Sequence, residues 1–152
     1  MNFDRSAAEA RFARRLLPIA RRWRTAADSA LAALGLSNAN GWVVLQIARM
    51  NEGVRQGALA EELDISGASL VRLLDQLERT GLVVRTADAG DRRTNRLSLT
   101  EKGRALADEI EGAFAALRAT LLADVNDADL AAVNAVLDRI DARIAGEREN
   151  RR

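Results

Sequence analysis

Residues 56–81 read QGALAEELDISGASLVRLLDQLERTG, and this stretch decides the fold. Residues 56–63 predict a short helix with Leu59, Ala60 and Leu63 inward, and Asp64 with Ile65 a tight turn. Ser66 has the chemistry of an N-cap, because its short side-chain oxygen accepts a backbone N–H that the first helical turn leaves orphaned. The helix it opens runs to Thr80 with Leu70, Leu73, Leu74 and Leu77 on one face, and Gly81 stops it. Ser69, Arg72, Gln76 and Arg79 lie on the opposite face, with little bulk at Gly67 and Ala68. A helix that is leucine-rich behind and polar in front fits a groove.

Downstream, Leu82 to Arg85 and Thr94 to Leu99 read as extended runs around residues 87–91, a turn-rich hairpin tip. Thr100 caps a further helix with Leu106, Ile110, Phe114, Leu117 and Leu121 inward. Asp127 starts a last one bearing Leu130, Val133, Leu137, Ile140 and Ile144 at near-heptad spacing, which suits packing between subunits. Upstream, Phe12, Leu16, Ile19, Trp23, Ala27, Ala30, Leu31 and Leu34 recur every three or four residues from about Asp4 to Leu34, the mark of one long amphipathic helix. Pro18 removes a backbone donor inside it, so a kink or break is expected near Leu17, and Gly35 is placed to end it. Ser37 caps a second helix over 38–50 that carries Trp42, Val43, Leu45, Ile47 and Ala48.

Composition narrows the function. The chain has 152 residues, enough for one domain with a buried core, and no apolar run approaches a membrane span. The opening residues do not read as a signal peptide, so a cytoplasmic setting without membrane attachment is the expectation. Cys, His and Tyr are absent, which excludes disulfides, thiolate zinc sites and the commonest general base. With no Gly-rich phosphate loop or nucleophile elbow either, the reading is a non-enzyme without metal or cofactor. The net charge of +1 conceals a division along the chain. Residues 1–24 hold seven Arg against two carboxylates, residues 85–104 six basic groups against three acids, and residues 105–152 six Arg against ten carboxylates. Basic patches on a neutral body are an electrostatic footprint for phosphate.

Helix, tight turn, Ser-capped helix and hairpin, in that order, form a winged helix-turn-helix, whose second helix enters the major groove. The run Ala68 to Glu78, followed by Gly81-Leu82, Asp91-Arg92-Arg93 and Leu99-Thr100-Glu101-Lys102-Gly103, resembles the MarR family, in its SlyA-like branch. The motif match spans residues 36–104, and Asp64 departs from the Gly common in the turn. Asp tolerates the left-handed conformation better than most residues. The resemblance implies a dimeric repressor or activator of transcription whose terminal helices form the subunit interface. It also implies DNA affinity lowered by a small aromatic carboxylate or phenolic effector.

Candidate DNA contacts are Ser66, Ala68, Ser69, Arg72, Gln76, Asp91, Arg92, Arg93 and Arg96. Arg72 can give two hydrogen bonds to a guanine edge or hold a phosphate, while Ser69 and the Ala68 methyl reach base edges. Resemblance implies that Arg93 enters the minor groove, with Asp91 orienting an arginine; Arg92, Arg96 and Lys102 read as phosphate contacts or plain surface. Trp23 and Trp42 read first as core. Resemblance adds a second role, in which they wall an aromatic ring while Arg21 or Arg24 holds its carboxylate. The expected architecture is therefore mostly α with a small β-wing: one domain over 1–152, with a DNA-binding lobe at 37–104 and dimerisation helices at 1–36 and 105–152. The expected partners are double-stranded DNA, a second copy of the chain and that effector. The rival reading is a helical protein-interaction module whose winged-helix lobe reads no bases.

Overall fold

The computed structural model describes residues 4–51, 53–87 and 95–149. Among these residues six helices and three strands follow in the order α1 (Arg5–Ala33), α2 (Asn38–Arg49), β1 (Val54–Arg55), α3 (Gln56–Glu62), α4 (Gly67–Arg79), β2 (Val83–Ala87), β3 (Asn95–Leu99), α5 (Glu101–Leu121) and α6 (Asp127–Glu149). This is a mostly helical winged helix-turn-helix. No single helix among the described residues is long and apolar enough to cross a membrane.

The chain forms two compact units, residues 1–117 and 118–152. In the first, one core gathers Ala27 and Leu31 of α1, Val43, Val44, Leu45 and Ile47 of α2, Leu59 of α3, Leu70, Leu74 and Leu77 of α4, Leu97 and Leu99 of β3, and Ile110 and Phe114 of α5. In the second, α6 starts where Asn126 Oδ1 accepts from the Asp129 N–H at 2.9 Å, and no described residue of the helix is buried.

The turns that orient the helices of the winged lobe follow from local chemistry. Asp64 sits at φ 52° after α3, its N–H donating to Glu61 O and that of Ile65 to Ala60 O. These crossed bonds satisfy the last carbonyls of α3 and swing the chain into α4. The turn therefore forms with Asp in the left-handed position. Gly81 does the same after α4 at φ 70°, with Leu82 N–H donating to Leu77 O. Ser37 and Ser66 cap α2 and α4 as their chemistry predicts, and Thr100 Oγ1 accepts from Gly103 N–H at 3.0 Å to open α5.

Two features go beyond the sequence reading. Of the two outcomes expected near Leu17, a kink or a break, the break does not occur, because helix α1 passes through Pro18 without interruption; the Ala, Leu and Arg residues on both sides favour helix strongly enough to carry the loss of one backbone bond. The sheet has a strand that periodicity did not reveal: β1 pairs antiparallel with β3, Val54 opposite Leu97, giving the order β1-β3-β2. Strand β2 also extends two residues beyond Arg85, to Ala87, which pairs with Asn95.

Candidate nucleic-acid interface

Helix α4 holds an exposed polar face on a buried apolar base. Leu70, Leu74 and Leu77 are buried, while Ser66, Ala68, Ser69, Arg72 and Gln76 are exposed. Ser66 Oγ accepts from the Ser69 N–H at 3.1 Å and shares a 2.9 Å hydrogen bond with Ser69 Oγ, so these two hydroxyls are coupled to each other and to the helix start. The side chains of Arg72 and Gln76 make no hydrogen bond or ion pair among the described residues. Spaced three and four residues apart from Ser69 to Gln76, these groups share one face.

The basic residues after α4 are placed differently. Arg85 crosses from β2 to α4: its Nη2 lies 2.6 Å from Asp75 Oδ1, its Nε 3.4 Å from Glu78 Oε2, and its backbone N–H donates to Glu78 Oε1 at 3.1 Å. Half-buried, it ties β2 to α4 and offsets the charge of two carboxylates on that helix. Arg96 donates from Nη1 to Gly53 O at 2.9 Å, Lys102 Nζ to Thr80 O at 3.0 Å, and Arg104 Nη1 to Leu99 O at 2.9 Å. Each ties adjoining segments together. Of the sequence candidates in the wing, Arg96 is thus tied to the β1 turn, while Asp91, Arg92 and Arg93 lie outside the described residues.

A groove of about 480 Å³ lies along α1 and α2, lined by Leu16, Ile19, Ala20, Trp23, Arg24 and Trp42. Trp23 is 38% exposed, so the core reading fails for it within the single chain. Trp42 combines both readings: half-buried, it packs on Phe114 at 5.2 Å between ring centroids and turns part of its surface to the groove. The Arg24 guanidinium stacks 4.1 Å from its ring, a cation–π contact, and Asp28 Oδ1 accepts from both Trp42 Nε1 at 2.8 Å and Arg24 Nε at 3.3 Å. The sequence reading missed Asp28, although its position four residues after Arg24 on one helix marks an ion-pair partner. Arg21 is exposed and is not among the groove-lining residues.

The chain is similar to known proteins in sequence and fold. A model described as the MarR family matches residues 34–94. The chain is 38% identical to the transcriptional regulator PA3341, covering 89% of this chain and 98% of that one, with a TM-score of 0.79. It is 27% identical to CouR from Rhodococcus jostii RHA1, solved with p-coumaroyl-CoA, over 82% of this chain and 87% of that one, at a TM-score of 0.69. It is 26% identical to S. aureus MepR, solved as a DNA complex, over 83% and 91%, at a TM-score of 0.68.

Proposed function

The chain belongs to the MarR family of transcription regulators, and from that premise we propose that it acts as a homodimer, each copy laying α4 into the major groove of one half of an inverted-repeat operator. It is a regulator and not an enzyme. The observation that carries the proposal is the two-sided build of α4, with three leucines sunk in the core and Arg72 and Gln76 exposed on the other side without partners among the described residues. A side chain already tied to its own protein must break that bond to read a base; Arg72 need not. The MepR–DNA complex supports DNA as the partner. The motif resemblance over residues 68–103 supports the SlyA-like branch and a lobe at 37–104, and the apolar helix patterns on either side support dimerisation through 1–36 and 105–152. Repression or activation follows from competition with other proteins for the same DNA, in the cytoplasm.

The groove beside Trp42 suits a small aromatic effector. Its apolar lining takes a ring, and the terminal nitrogens of Arg24, which make no hydrogen bond among the described residues, take a carboxylate. CouR, with its bound p-coumaroyl-CoA, supports this ligand class. For release, the ligand must bind the free protein better than the DNA-bound form.

Affinity for duplex DNA measured across a salt series tests the main proposal. The expected result is a linear fall of log affinity with log salt, with a slope of several released counterions per dimer. Absent or salt-insensitive binding contradicts it and favours the protein-interaction reading. Titrating tryptophan fluorescence with salicylate-like acids beside the DNA assay tests the effector; quenching without loss of DNA affinity separates a pocket from a switch.

A further inference from the structure

The first half of α1 carries a charged face that the reading helix does not use. Arg11, Arg14, Arg15, Arg21 and Arg22 are all exposed, and their side chains make no hydrogen bond or ion pair among the described residues. The neighbouring arginines differ, since Arg5 pairs with Glu9 and Arg24 with Asp28. Between Glu9 and Asp28 the sequence holds no acidic residue. Spacings of three, four, seven and eleven residues bring the five arginines onto one helix face. Phe12, Leu16, Ile19 and Trp23 occupy a separate one. At about 1.5 Å per residue, the stripe from Arg11 to Arg22 is roughly 16 Å long.

We propose that this arginine stripe is a second, sequence-independent contact for the phosphate backbone of duplex DNA, outside the site read by α4. The proposal rests on the DNA-binding reading, which already brings the chain to a polyanion. Unpaired like charges aligned on one face repel one another, and a regular array of phosphates relieves that repulsion while releasing counterions. Guanidinium suits the task, because its planar fork matches phosphate oxygens. An anionic lipid surface fits less well. A helix lying on a membrane inserts its apolar face, and in the dimer proposed above the exposed Phe12, Leu16 and Ile19 of that face pack against the second copy.

The test uses the full chain with Arg11, Arg15 and Arg22 all changed to Gln, against the parent and the corresponding triple Lys variant, on a long random-sequence duplex and on phosphatidylserine-containing vesicles. Because these side chains are exposed, thermal unfolding of all three proteins should coincide. The Gln variant is expected to bind the duplex about tenfold or more weakly at low salt, its slope smaller by ~0.9 for each phosphate it no longer neutralises, while the Lys variant keeps the parental slope. An unchanged slope in the Gln variant, or an equal loss in the Lys variant, overturns the stripe and leaves the reading helix standing. Vesicle binding lost with DNA binding unaltered overturns it in favour of a membrane. If the parent itself binds no duplex, the DNA reading falls and the stripe with it.

Discussion

Helices α4 and α6 answer the same physical demand in opposite ways. Helix α4 buries Leu70, Leu74 and Leu77 inside its own chain, leaving a polar face exposed. Helix α6 buries none of its described residues, and Val133, Leu137 and Ile144 are 53%, 40% and 50% exposed. Helices in water draw most of their stability from packing an apolar face. The difference therefore separates a helix buried within its own unit from one whose apolar side is, on the proposed function, covered by a second copy.

The contrast breaks most visibly at α6. Changing Val133 and Leu137 together to Asp should abolish dimerisation, seen as a halved mass in sedimentation, and remove operator binding with it, because one lobe on one half-site is too weak. A monomer that retained parental affinity would remove α6 from the account. On the other side of the comparison, Leu74→Ala should lower stability by about 2–5 kcal/mol in denaturant unfolding, since Leu74 is fully buried. A loss no larger than that of an exposed α6 residue would erase the distinction. Arg85→Ala should have the smallest effect on folding, about 1 kcal/mol for a half-exposed ion pair. Its effect on DNA affinity should exceed that of removing Asp75 and Glu78 as well, because the single change leaves both carboxylates without their cation beside the proposed DNA-contacting face.

What the sequence made legible was governed by local rules. Ser37, Ser66 and Thr100 as caps, Gly35 and Gly81 as stops, and Asp64 in the left-handed turn each depend on a few neighbouring residues, and each stands as read. Strand β1 was not legible, because two residues carry no period and its partner Leu97 is 43 positions away. The basic patch at 85–104 was legible as charge but not as disposition. Arg85, Arg96, Lys102 and Arg104 are held by carboxylates or backbone carbonyls from other segments, which summed charge cannot show. The same applies to Trp42, whose indole is fixed by Asp28 on a different helix.

The central claim is that the free face of α4 reads bases, and selection from a randomised duplex pool tests it most directly. The parent protein is predicted to enrich an inverted repeat with half-sites about one helical turn apart, roughly 34 Å. Arg72→Ala is predicted to enrich the same repeat with one position in each half relaxed, and to bind the parental site about 1–3 kcal/mol more weakly. A parent that enriches no sequence, or an Arg72→Ala variant that selects an unchanged site at parental affinity, would contradict the account.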